Sequence, residues 1–215
     1  MAASVPRFEQ WLPPEAVRQL SDAVGDPAWM AARRADAYER FLHLPLEPNP
    51  LYRGYGYFAN VDLTGVDAAS GGSPVRGPAP LPGAIEIVHD ASGTRVTVPA
   101  EIAAAGVTVR TLPELWRSDG HAPTQAEEPT DRLSALATAL VNRAYRLDVP
   151  DGVRTPLRVR EFSLLSRSHE ALVVQRSIRA GREAQVLVTE ETFSAGSSPG
   201  PQRTSLPSHR SERIG

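Results

Sequence analysis

From Tyr145 onward the hydrophobic pattern of this chain reads as strands only, and that limits its fold more than any other feature. YRLDVP (145–150), PLRVREFSLL (156–165), EALVVQRSIRAG (170–181) and AQVLVTEETF (184–193) are each close to one strand in length. Turn sequences separate them: Pro150-Asp151-Gly152, Ser166 to His169, and Ala180-Gly181-Arg182. Short strands at near-even spacing point to a sandwich, a barrel or a β-helix, and periodicity does not choose among these.

The first half is different. Pro14 to Val24 reads as a helix closed by Gly25, and Asp26 to Pro45 as a second one. In the second, Asp26 is the expected N-cap, with Pro27 at the first helical position. Met30, Ala37, Phe41 and Leu44 form its apolar stripe, and Asp36 to Arg40 is a favourable i,i+4 pair. The segment 61–83, rich in Gly and Pro, is expected to be a flexible loop. AIEIVHD (84–90) and TRVTVP (94–99) read as a hairpin around Gly93, followed by a short strand near 107–111. DRLSALATALVNRAY (131–145) carries Leu133, Leu136, Ala137, Leu140, Val141 and Ala144 on one face, a helix by period. The polar tail 194–215 has too little apolar content to offset its ordering entropy and is expected to be disordered.

Composition removes whole classes of chemistry. There is no cysteine, so disulfides, thiolate nucleophiles and clusters held by this chain's own thiolates are excluded. There is no lysine either, so the Walker A lysine is missing and the chain is not itself a P-loop ATPase. A formal net charge of −2 gives no general pull toward nucleic acid or anionic membrane. No run approaches the ~18 apolar residues of a membrane span, and the N-terminus lacks the apolar core of a signal peptide. A cytoplasmic location is expected.

The five histidines, His43, His89, His121, His169 and His209, show no metal-ligand spacing. His43 suits a helix C-terminus, and His169-Glu170 reads as a solvated turn. Glu161 and Glu190-Glu191 read as surface carboxylates. Gly54-Tyr55-Gly56 lacks the third glycine of a nucleotide fingerprint. Tyr52, Tyr55, Tyr57 and Phe58 read as an aromatic cluster packing on the helical region, with partner contact as the alternative. No catalytic, cofactor-binding or metal-ligating residue is assigned.

Several passages, in order, resemble one family. Asp26, Pro27, Trp29, Met30, Arg33, Ala37, Phe41, Leu44 and Pro45 form an acidic-Pro-Trp entry to an Arg/Ala-rich helix stopped by Leu-Pro. AEIAAAGVTVRTLPELW, then Ala135 to Ala139, then Val149-Pro150-Asp151-Gly152-Val153 and Pro156-Leu157-Arg158-Val159 follow. Arg176-Ser177-Ile178, Ala180-Gly181, Ala184, Val186 and Glu190-Glu191 complete the set. Together these resemble the SufB/SufD family of iron–sulfur cluster assembly proteins, and the absence of cysteine tilts the resemblance toward SufD. Ala137 departs from a usual Asn, and Arg143-Ala144 from common glycines.

The resemblance implies an α+β fold. An N-terminal helical region (1–60) and the loop (61–83) would precede a small α/β segment (84–145, with a helix at 131–145). The first rungs of a right-handed parallel β-helix (146–193) and the disordered tail (194–215) would follow. It implies a truncated, non-catalytic SufD-like scaffold acting with SufB and SufC, with an iron–sulfur cluster present only in the assembled complex. The alternatives are an inert truncated product and an unrelated carbohydrate-active β-helix enzyme. The family resemblance and the assembly role both rest on strands that wind as a coil whose free end another chain must cover; a self-contained closed barrel or sandwich would remove both.

Overall fold

The structure, a computed structural model, describes residues 12–44, 65–68, 71–119, 128–167, 169–194 and 206–208. The aromatic cluster at 52–58, His121, His209 and most of the tail lie outside these residues.

Two helices open the described chain. α1 (Pro14–Val24) has proline in its first turn and ends at Gly25, whose φ of 69° is the left-handed cap that glycine adopts without a Cβ penalty. α2 (Ala28–His43) starts from Pro27 with no side-chain cap. Asp26, the expected cap, is used elsewhere: its carboxylate accepts from the Ser21 hydroxyl and from Nε and Nη2 of Arg34. Arg34 is fully buried, donates to the Ala139 carbonyl at 3.0 Å, and lies 5.6 Å from the centre of the Trp116 ring.

β1 (Ala84–Asp90) and β2 (Gly93–Thr97) form the antiparallel hairpin, turning at Gly93. α3 (Ala100–Ala104) returns the chain to β3 (Thr108–Thr111), and α4 (Leu112–Asp119) follows directly. α5 (Arg132–Leu140) begins with a capping box, in which the Asp131 carboxylate accepts from the amides of Leu133 and Ser134. It ends at Leu140, earlier than its apolar period predicts. The reason is that Asn142 and Arg143 are held by the sheets. Asn142 donates to the carbonyls of Ala68 and Ala171 and accepts from the Val173 amide, and Arg143 donates to the carbonyls of Asp90 and Asn142. Ala144 and Tyr145 therefore belong to β4 (Arg143–Val149).

The remaining strands are β5 (Leu157–Leu165), β6 (Val173–Ala180), β7 (Val186–Ser194) and β8 (Leu206–Ser208). They build two four-stranded sheets, ordered β2-β1-β5-β7 and β3-β4-β6-β8. Beyond the antiparallel pairs β1–β2 and β3–β4, all pairings are parallel. The first rungs of a right-handed parallel β-helix, expected from residue 146, are thus not what forms. Both sheets are mixed, and each holds one antiparallel pair, β1–β2 in the first and β3–β4 in the second. The described residues form a mixed α/β fold with five helices. Sequence pattern located the strands but carried no information on their partners. The expected disordered tail is also corrected in part, because Leu206–Ser208 pairs with β6.

Two cores result. One joins α1, α2 and α5 around Leu20, Phe41 and Leu136. The other fills the space between the sheets, with Ile85, Ile87, Leu147 and Val159 almost fully buried. Burying a side chain of this size contributes about 1.5–3 kcal/mol. The outer face of the β1 sheet is crossed by residues 71–83, pinned by polar contacts. The Val75 amide donates to Asp90 and the Leu81 amide to Glu86, while Arg95 and Arg160 donate to the carbonyls of Val75 and Ala79. Among the described residues, no helix is long and apolar enough to cross a membrane.

Arg34 offers a direct test of the helical core. Burial lowers its pKa while the Asp26 carboxylate acts to raise it, so each charge depends on the other. Arg34→Ala and Asp26→Ala should each cost about 3–5 kcal/mol in chemical denaturation, because each strands a buried charge. The double variant should lose clearly less than the sum of the two.

Candidate functional site

β5 reads Leu157-Arg-Val-Arg-Glu-Phe-Ser-Leu-Leu165, and its odd-numbered residues face the other sheet alongside Leu157 and Val159. That alternation places the Glu161 carboxylate in the core, where its side chain is completely buried. Five neighbours meet it or its partners. Tyr145 of β4 donates its hydroxyl to Oε2 at 2.7 Å, and Arg176 of β6, paired in register with Tyr145, donates Nε to the same oxygen at 2.7 Å. Arg176 also donates to Glu190 of β7 at 2.9 Å. His89 of β1 lies in partial stacking on Tyr145, with Nε2 facing Glu161 Oε1 at 3.4 Å without forming a hydrogen bond. Its other nitrogen, Nδ1, meets the Thr94 hydroxyl of β2 at 2.9 Å.

The electrostatics follow from burial and partners. Burial alone pushes the Glu161 carboxyl up. The facing His89 imidazole, the Arg176 guanidinium and the Tyr145 hydroxyl outweigh it and bring the pKa down to about 2. Tyr145 is pushed well above the usual phenol range, first by burial and then by the Glu161 charge. Burial disfavours the charge on Arg176, but its bonds to Glu161 and Glu190 and the nearby charges raise its pKa overall. At neutral pH Glu161 is therefore an anion and Arg176 a cation.

Glu161, His89 and Thr94 stand in the order acid, imidazole, hydroxyl, which in an accessible site could activate a nucleophile. Here His89 and Glu161 are both fully buried. The group works as a fastener between the sheets, joining β1, β2 and β5 of one to β4 and β6 of the other.

The accessible part of this region is β7. It bonds β5 in parallel register on one side and ends the sheet on the other. Most of the strand is exposed. Leu187 is 63% and Phe193 43% exposed, although Phe193 leans on Phe162 with ring centres 6.2 Å apart. Leu187, Glu191 and Phe193 share the outer face, while Val186, Val188 and Glu190 face the second sheet.

The residues weighed from sequence fall as follows. Glu161 is corrected from a surface carboxylate to a buried one, and Arg176 brings it together with Glu190. Glu191 stands on the opposite face, 3.8 Å from Arg160. His43 is exposed at the end of α2, 4.0 Å from Glu39. His169 sits in a turn with φ of 62°. The adjacent Glu170 is buried and accepts from the amides of Ser166 and Arg167, closing that turn. Tyr145 and Thr94 were not weighed as site residues, and Arg176 entered only through the family resemblance. A signal existed for Glu161 alone, whose place in the β5 alternation is a core position. Among the described residues, no group of three His, Asp or Glu side chains could hold a metal. No family model, no curated protein and no solved structure matches the chain.

Acid should reveal the fastener. An unfolded glutamate titrates near ~4.3. Because the folded value is about 2, the stability that Glu161 contributes is complete above pH ~4.3 and is lost as pH falls toward 2. Glu161→Gln should lower stability at pH 7 by about 3 kcal/mol. It should also flatten the pH dependence between about 4.3 and 2, read by urea denaturation at a series of pH values.

Proposed function

We propose that this protein is a SufD-like subunit of the SUF iron–sulfur assembly system, acting with SufB and SufC by binding and shape. It carries no catalysis of its own, and the cluster belongs to the assembled complex. The observation that carries the reading is the free edge of β7. Among the described residues no strand pairs with the outer side of β7, and an edge strand that exposes large apolar side chains is a template for another chain.

The sequence resemblance supplies the identity of the partners. It runs in order from the Asp26-Pro27-Trp29 entry to Glu190-Glu191. Its last passage lies on β6 and β7, so the part of the chain that resembles the family includes the exposed edge.

Co-expression with SufB and SufC tests this reading. The protein should co-purify with one or both through size-exclusion chromatography. Leu187→Asp with Phe193→Asp should reduce recovery at least several-fold while leaving circular dichroism unchanged, because both side chains are exposed. A protein that elutes alone in the presence of both partners overturns the proposal.

A further inference from the structure

We propose that the free edge of β7 accepts a strand from a different protein, one that presents basic side chains opposite Glu190 and Glu191 together with apolar residues. The inference rests on reading β7 as a docking edge and not on the identity of SufB or SufC.

Charge order across the sheet is the first argument. On the outer face, Arg160 of β5 lies 3.1 Å from Glu86 of β1 and 3.8 Å from Glu191 of β7. On the inner face, Arg176 lies 2.7 Å from Glu161 and 2.9 Å from Glu190. Each guanidinium is thus divided between an interior carboxylate and an edge carboxylate. Acid alternates with base toward the edge, and both series end on acid. Glu190 and Glu191 are successive residues pointing to opposite faces, with side chains 31% and 39% exposed, so a strand laid along β7 meets a carboxylate on either face. Opposite charges directly across a strand pair stabilise it, and like charges destabilise it.

The second argument is the apolar frame around those carboxylates. On the outer face Phe193 follows Glu191 and Leu187 lies just beyond Thr189, and on the inner face Val188 precedes Glu190. An added strand with alternating apolar residues would bury Leu187 and Phe193 while its backbone completes the ladder, the usual chemistry of β-augmentation.

A second copy of this chain fits poorly. β7 runs from 186 to 194, so antiparallel pairing about its centre sets Glu190 against Glu190. Parallel pairing in register sets both glutamates against their own kind. The edge therefore selects against itself and for a basic strand.

The test uses the full chain and two nine-residue Val/Thr peptides, N-methylated along one edge to prevent self-assembly. One peptide carries Arg-Arg at its centre and the other Glu-Glu. In fluorescence anisotropy at low salt the Arg peptide should bind about tenfold more tightly than the Glu peptide. The preference should shrink at 0.5 M salt. Glu191→Arg, at an exposed position, should narrow or invert it. Equal binding of the two peptides, binding of neither, or a self-associated protein whose dimer is abolished by Leu187→Asp would each overturn the proposal. Peptide selectivity that survives a failure to co-purify with SufB and SufC would separate the edge chemistry from the assignment to the SUF system.

Discussion

The carboxylate of Glu161 sits where the alternation of β5 calls for an apolar side chain, and the seating of the two sheets on each other depends on how that charge is answered. A lone anion in such a place would cost several kcal/mol in desolvation. Tyr145 and Arg176 approach from the opposite sheet at 2.7 Å each, so the anion is satisfied only when the two sheets are correctly seated. A hydrocarbon at this position would hold the sheets together with less regard to their relative placement. The polar cluster therefore fixes registration between sheets, while Ile85, Ile87, Leu147 and Val159 supply most of the attraction.

The same logic joins the helices to the sheets. Asn142 occupies the point where α5 gives way to β4, and its amide satisfies three backbone groups on two other segments. Arg143 beside it reaches the carbonyl of Asp90 at the end of β1. Arg34, buried in α2, donates to the last turn of α5. Each side chain closes a hydrogen-bonding account that a buried chain reversal would leave open. The chain uses arginine at these joints, and the planar guanidinium suits them, since it serves two acceptors from one rigid fork.

How much of this was legible in sequence depended on whether the signal was local. α1 and its Gly25 stop, the β1–β2 hairpin and the positions of β5, β6 and β7 follow from period and turn residues. The end of α5 did not, because the apolar face continues through Ala144 while Asn142 and Arg143 are captured by distant carbonyls. Asp26 misled for the same reason: a good local cap was recruited by Arg34, eight residues away. Sheet order was invisible. Strand pattern says which face is buried and not which neighbour is bonded, so a parallel β-helix and two mixed sheets present the same alternation. Glu161 was readable as a core position, yet its partners Tyr145, Arg176 and His89 come from three other strands, and no spacing in one chain announces that meeting.

The position of the free edge follows from this architecture. From β4 onward, successive strands go to alternate sheets, so each new strand covers the edge left by the strand two before it. β6 covers β4 and is itself covered by β8, and β7 covers β5. Among the described strands, the last one added to each sheet has no partner on its outer side. In the β1 sheet that strand is β7, and its side chains are not those of a blunted edge. A protected edge carries a central proline, a bulge or an inward-pointing charge that discourages pairing. β7 has no proline, its inward Glu190 is bound by Arg176, and Leu187 and Phe193 remain exposed beside it. Edge strands that stay unpaired are made poor templates, and this one retains the features of a good one.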